Sequence, residues 1–491
     1  MKILVYIARI LVGALFVVSG VIKANDALGF SYKLEEYFEN GALAYRVRDL
    51  FGWDSFSLEF MMEYALPIAI FMCTAEIVLG FAVLFGTKIR FAVFSLIALT
   101  IMFFFLTLHT ATCDPTANFT EVTTVSTQSD QLAMMERRME NNDKVSITEE
   151  NEEFVTFSEE MPVQCVTDCG CFGDAMKGSL GRSLTPWESW TKDLILMILI
   201  IPIFLYRDKI KINTLKEDII IYSASMVFIL FLSWVFNWYF FLLFFTVGFL
   251  LYYGSKRLLF NRFLKWIPIG LATILSLGLI YYTLNHLPLR DYRAYAVGKS
   301  IPEQMVLPEG AQPSIFENIF FYKNKSTGTV EEFTEANYPW DDDNYEFVDR
   351  KTKLIQEGDK PAITDFTITA DDGNDYAPDF FNEEAYIFML VAYDINKTDA
   401  AAMKKINTFV DQCNTDGNYF IGISASLYED MEKFKHGNQT MFDFYTCDAI
   451  TLKTIVRANP GIVLMKKGEI LAKWNGNDLP DYTEVKETYL K

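Results

Sequence analysis

The sequence predicts a multi-domain protein: an α-helical membrane bundle of about seven spans, followed by a mixed α/β domain outside the cytoplasm. Three observations carry that reading. Long apolar runs recur through the first 285 residues and then stop. Lys and Arg collect in every second connection between those runs, as cytoplasmic turns do. Beyond residue 360, short β-rich segments alternate with segments of helical spacing. The 491 residues allow two to four domains, and 63 acidic against 43 basic residues exclude a general nucleic-acid binder.

Apolar segments fall at residues 3–22, 60–85, 91–108, 194–205, 219–236, 239–253 and 263–284. A span takes about 20 apolar residues, and the fourth segment reaches that length only with residues 187–192 added. Asn237 and Trp238 alone separate the fifth from the sixth, which fits either a tight turn or one bent hairpin. The first segment opens Met1-Lys2 like a signal peptide. Arg9 interrupts it and no small-x-small cleavage site follows, so it is expected to remain a span. Thr87-Lys88-Ile89-Arg90, Arg207-Asp208-Lys209-Ile210-Lys211 and the run Lys256, Arg257, Arg262, Lys265 make basic turns. Residues 25–59 and 113–188 are acidic, the second by 15 residues to 5. With the amino terminus in the cytoplasm of a cell inner membrane, residues 113–188 and the tail from Asn285 onward lie in the periplasm.

The acidic insert, residues 112–164, has a Thr/Ser/Glu-rich stretch with too little apolar content for a core, apart from a short helical pattern at 130–139. It is expected to stay mobile or to act as a docking arm. Residues 207–285 hold the three additional spans, and 286–360 read as a Pro-punctuated connector with short strands at 319–322, 328–334 and 344–350. In the tail, strands are expected at 363–369, 385–392, 419–424 and 442–446, with a hairpin at 462–466 and 469–475. Helices are expected at 399–412, 428–435, 452–457 and from Tyr482. That order suggests a mixed sheet with helices on both faces.

Four of the seven cysteines belong to one loop: Cys113, Cys165, Cys169 and Cys171. A Cys-x-Cys pair closes only a small ring, far from relaxed disulfide geometry, and such bonds are the more readily reduced. Gly170 eases the turn between the two sulfurs. The helix beginning near Thr185-Pro186 would favour thiolate at its amino end, while Asp168 and Asp174 oppose it. Cys113 and Cys165 are either shuttle thiols or one structural disulfide. The bland alternative makes all four static staples or a metal knuckle, but neither a second Cys-x-Cys nor a histidine cluster accompanies them to complete a zinc site. Cys73 sits within an apolar span and reads as a packed core thiol. Glu76 is an ionisable group inside a span, which is expensive and calls for a partner or a function. Arg9 and Lys23 are its candidate partners. His109, near Cys113, is either a proton carrier or an interfacial anchor.

Residues 361–491 resemble the thioredoxin-like fold of membrane-tethered thiol–disulfide proteins, with Asn459-Pro460 where that family places a cis-proline before the hairpin. The departure is that Ala392-Tyr393-Asp394-Ile395-Asn396-Lys397-Thr398 stands where the family carries Cys-x-x-Cys. The resemblance therefore implies a degenerate domain, with Cys413 and Cys447 either stapled together or free. Residues 1–206 resemble the four-span DoxX/MauE family. The likeness rests on Gly13-Ala14-Leu15-Phe16-Val17-Val18-Ser19-Gly20-Val21-Ile22-Lys23, on Cys73-Thr74-Ala75-Glu76-Ile77-Val78-Leu79-Gly80, and on Cys169-Gly170-Cys171-Phe172-Gly173-Asp174 followed by Leu184-Thr185-Pro186-Trp187-Glu188 and Lys192-Asp193. The long insert, extra spans and tail resemble the long Bacteroidetes-type members. MauE-like proteins are implicated in handling disulfides of exported enzymes. The arrangement also parallels vitamin K epoxide reductase and DsbB-like proteins, an architectural analogy only.

The function this implies is a thiol–disulfide oxidoreductase acting on an exported or periplasmic client through Cys169 and Cys171, with a quinone or another thiol carrier as electron partner. The alternative is a non-catalytic membrane scaffold of an envelope complex, with the cysteines as staples. Transport is disfavoured because the spans show no obvious repeat.

Overall fold

The computed structural model describes residues 2–490 except 54, 126–144, 151–154, 167–171, 257–265, 308–309, 314, 357, 359 and 399. α1 (Lys2–Asn25) is followed by two shorter helices, α2 (Ala27–Phe38) and α3 (Tyr45–Phe51). α4 (Ala65–Phe85) continues from a 3-10 turn at Glu59–Tyr64 and packs along α1. That contact is backbone-close: a Cβ on Gly80 would lie 2.7 Å from the Gly13 carbonyl oxygen, the small-residue packing that lets apolar helices associate in lipid. α5 (Ile89–Thr112) leads to the insert, and the short α6 (Gly173–Leu180) leads out of it. α7 (Pro186–Tyr206) opens on a capping box of Thr185 and Glu188 with Pro186 in its first turn. α8 (Leu215–Val235), α9 (Phe240–Lys256) and α10 (Ile267–Asn285) complete the bundle.

Among the described residues six helices are long and apolar enough to cross a membrane: the stretch 59–85, α1, α5, α7, α8 and α10. α9 is apolar but 17 residues long, about 26 Å. It is a separate helix from α8, turned at Asn237, whose φ of 48° suits Asn better than most residues. Lys256 at its end pairs with Asp218 in the first turn of α8. α9 therefore retraces the length of α8.

The insert corrects one expectation. β1 (Asn118–Val125), β2 (Val145–Glu150) and β3 (Val155–Pro162) form an antiparallel sheet in the order β1-β3-β2. Its Thr- and Val-rich strands suit a pleated backbone even where apolar content is low, and Phe157 is fully buried. The helical pattern at 130–139 lies outside the described residues. After α10 and a one-turn α11 (Ile301–Gln304), the connector also holds a sheet. β4 (Ile315–Asn324), β5 (Val330–Thr334) and β6 (Tyr345–Gln356) pair antiparallel in the order β5-β4-β6.

The tail begins with α12 (Ala377–Asn382) and builds a five-stranded sheet in the order β11-β10-β7-β8-β9. β7 (Ile387–Val391), β8 (Tyr419–Ser424) and β9 (Phe444–Thr446) are parallel, whereas β10 (Gly461–Lys466) and β11 (Glu469–Asn475) form an antiparallel hairpin against β7. β7 is buried on both faces. Ile387, Met389 and Val391 pack with Ile421 and Val463 beneath α15 (Ala449–Ile455). Phe388 and Leu390 pack with Phe409 of α13 (Ala400–Thr415) and Val485 of α16 (Tyr482–Tyr489), with α14 (Tyr428–Asn438) beside them. Residues 363–369, expected as a strand, make only isolated bridges from Thr369. Their apolar spacing reflects packing of Ile363, Phe366 and Ile368 into the core rather than sheet pairing. The Asn459–Pro460 peptide bond is cis.

The tail sits on the bundle end that carries α2. Arg457 donates to both oxygens of Asp26, the N-cap of α2, at 3.0 and 2.9 Å. A Cβ on Gly29 would lie 2.6 Å from that guanidinium and closer still to Asp26 Oδ2, so a side chain there would displace the pair. Asn25 exchanges two hydrogen bonds with the Arg290 backbone, and Tyr292 donates to the Phe236 carbonyl at 3.0 Å. Beneath the sheet, Asp291 holds Arg293 and Lys473 together, at 2.8 Å each. Burial would raise the Asp291 pKa, but the two cations keep it well below the usual carboxylate range. Burial pushes Lys473 down to about 8 against the pull of Asp291.

Candidate functional site

The conspicuous polar feature of the bundle is a pair of ion pairs in its α2-side half. Lys23 on α1 bonds Glu76 on α4, and each side chain is 1% exposed. The Lys23 ammonium lies 4.1 Å from the centre of the Phe103 ring. Glu76 Oε2 has no hydrogen-bond partner among the described residues. On α7, Lys192 bonds Asp193 at 2.9 Å, and Thr107 of α5 donates to the other Asp193 oxygen at 3.1 Å. Both pairs line one cavity of about 20 Å³ together with Phe172, whose ring lies 5.2 Å from the Lys192 ammonium. That volume holds about one water. Glu76 thus has one oxygen on an ammonium and one unpartnered among the described residues, and it lines this water-sized space.

Arg9, the other proposed partner of Glu76, is placed elsewhere. It donates to the carbonyls of Val83 and Leu84 and to Asn213, all at 2.7–2.9 Å, and so caps the far end of α4. Fourteen residues of helix separate Arg9 from Lys23, about 21 Å, so one carboxylate cannot serve both. Cys73 is fully buried in the α4 core.

Cys113, at the end of α5, is disulfide-bonded to Cys165, with 5.7 Å between Cα atoms. Of the two readings open for these cysteines, the structure contains the disulfide. Cys169 and Cys171 lie outside the described residues. The chain on either side of them is described: Val166 packs with Tyr37 and Ala42, and Phe172 stacks on Phe236 at 5.4 Å besides lining the cavity. His109 is buried, with neither ring nitrogen hydrogen-bonded among the described residues, and lies edge-on to Tyr37 and Tyr45. It is held by rings rather than by an interfacial partner.

In the tail, the loop leaving β7 faces the bundle. Tyr393 meets Tyr32 of α2 edge-on at 6.5 Å, and Lys453 lies over the same Tyr32 ring at 4.4 Å. Asn459 donates to the Asp394 carbonyl at 2.8 Å and accepts from Thr398 at 3.2 Å, closing the loop on itself. Cys413 and Cys447 are free and buried, and burial pushes each thiol up to about 12. Sequence reasoning missed the Tyr32–Tyr393 and Arg457–Asp26 contacts. Neither has a local signal, because each joins residues more than 350 positions apart.

Fold and site together define a multi-pass membrane protein with a mixed α/β domain packed on one end of its bundle. A family model described as a domain of unknown function (DUF8463) matches residues 316–357, the stretch of β4–β6. No curated protein and no solved structure matches the chain.

Proposed function

We propose that the chain is a membrane thiol–disulfide redox protein of the DoxX/MauE type, in its long form, acting on exported proteins through Cys169 and Cys171. One observation carries the reading: the cavity holding Lys23–Glu76 and Lys192–Asp193 is lined by Phe172, the residue that follows Cys171. Each turnover exchanges two electrons and two protons. A client dithiol becomes a disulfide as the Cys169–Cys171 bond opens to two thiols, or the reverse. Glu76, which lines that cavity beside Lys23, is assigned as the group that takes and returns protons. The electron partner is assigned to a quinone or another thiol carrier. The orientation assigned is amino terminus in the cytoplasm of the inner membrane and tail in the periplasm.

The tail is assigned as a degenerate thioredoxin-like domain with a holding role. Its strand order and terminal hairpin support the fold. Its loop after β7 carries Tyr393 against Tyr32 where a redox domain would present thiols to a client. The test is covalent trapping in the full chain. Cys171→Ser or Cys169→Ser should capture a reducible adduct with an exported protein, one variant better than the other, while Cys73→Ser captures none. If neither traps, and both thiols resist alkylation before and after mild reduction, the scaffold reading replaces this one.

A further inference from the structure

A second cavity, of about 630 Å³, opens between α6 and the tail. In a chain of net charge −20, its wall is basic: Lys177 of α6, Arg293, Lys299 and Lys360 line it, and Glu303 is the carboxylate among the described lining residues. The cations differ in availability. Arg293 is committed, with two bonds to Asp291 and one to the Thr454 carbonyl. Lys299 is half-buried and steadied by the Arg293 carbonyl at 3.2 Å, so its ammonium is aimed without being neutralised by that contact. Burial lowers the Lys299 pKa and Lys177 pushes the same way, with Asp291 opposing. An anion seated between these two lysines would offset both effects.

The place of the cavity narrows the ligand. Its wall residue Tyr292 bonds the carbonyl of Phe236 at the end of α8 and lies edge-on to Trp238 at 6.4 Å. Tyr and Trp at helix ends mark the membrane–water boundary. Val306 and Leu307, at 67% and 46% exposure, add an apolar margin. The size is that of a small-molecule site with a few placed polar groups.

We infer that this cavity binds a phosphate group at the membrane boundary, through Lys177 and Lys299, with Lys360 at its edge. The phosphate can arrive as the headgroup of an anionic phospholipid or as the free ion, and the experiment separates them. Full-length protein in phosphatidylcholine nanodiscs is compared with discs doped with phosphatidylglycerol, and retained lipid is counted by native mass spectrometry. Inorganic phosphate is titrated in parallel against the undoped discs. Retention of phosphatidylglycerol that falls at least ten-fold in Lys177→Gln/Lys299→Gln, and recovers in Lys177→Arg/Lys299→Arg, establishes the lipid source. Saturable phosphate binding lost in the same Gln variant establishes the free ion. Lys209→Gln/Lys211→Gln, at the opposite end of the bundle, should change neither. Equal retention in wild type and Gln variant, or no binding of either probe, overturns the inference. None of these readouts depends on the cysteines.

Discussion

Removing one partner of the Lys23–Glu76 pair should cost far more than removing both. The two side chains are each 1% exposed within an apolar bundle. Lys23→Met leaves a carboxylate that must stay charged in that environment or take a proton. Glu76→Gln leaves an ammonium packed against Phe103 and Phe30. Breaking a buried pair from one side costs about 3–5 kcal/mol, whereas replacing both members by apolar residues of similar volume is often neutral. Lys23→Met/Glu76→Leu should therefore unfold within about 1 kcal/mol of wild type. The assay is graded unfolding by dodecyl sulfate in mixed micelles, followed through tryptophan fluorescence. Single variants as stable as wild type, or a double variant as damaged as the two singles combined, would refute the argument. The same double variant separates stability from chemistry. If Glu76 moves protons for the cysteine pair, thiol–disulfide turnover should fall about a hundred-fold, the lower range for a lost acid–base group, in a protein that still folds.

Other outcomes follow from the same geometry. Gly80→Val places a side chain 2.7 Å from the Gly13 carbonyl oxygen and should part α1 from α4, costing about 1–3 kcal/mol or more. Gly278→Ala, with open space around its Cβ, should leave the detergent melting curve unchanged. Cys413 and Cys447, with thiols raised to about 12, should react with iodoacetamide at pH 8 roughly three orders of magnitude more slowly than an ordinary exposed thiol, read by mass spectrometry of the native chain. Asp291 has a depressed folded pKa, so its contribution is complete above the unfolded value of about 4 and fades as pH falls through the lower folded one. Asp291→Asn should destabilise the tail by about 3–5 kcal/mol at pH 7, leaving Lys473 buried without its carboxylate, and should flatten the acid limb of the fluorimetric melting profile.

Much of the bundle was legible because its signals are local. Apolar length placed the spans, and Thr185-Pro186-Trp187-Glu188 announced the start of α7 three residues at a time. What depended on helices facing one another was less so. Arg9 and Lys23 looked equivalent as partners for Glu76, and only the antiparallel alignment of α1 with α4 puts Lys23 opposite and Arg9 at the far carbonyls. Lys192-Asp193 could be read as a motif, but not as an ion pair sharing a cavity with Glu76, because α7 is more than a hundred residues away. The connector strands were legible at 319–322, 328–334 and 344–350, whereas the insert sheet escaped for a different reason. The insert strands are rich in Thr, Ser and Glu, and hydrophobic periodicity is weak where pairing rather than burial organises the chain. Residues 363–369 misled in the opposite sense, being apolar at strand spacing yet packed without a ladder.

The turn at Asn237 has a consequence for the far end of the protein. Because α8 and α9 are two helices and not one bent one, the chain makes an odd number of passes along the bundle. α7 ends at Tyr206, beside the end of α4 that Arg9 caps. Three further passes bring it back to Asn285, where Thr283 bonds the carbonyl of Ala24 at 2.8 Å. Parity is thus what lets Arg457 reach Asp26. Delete any one of α8, α9 or α10 and the chain would arrive at the opposite end of the bundle from Asp26.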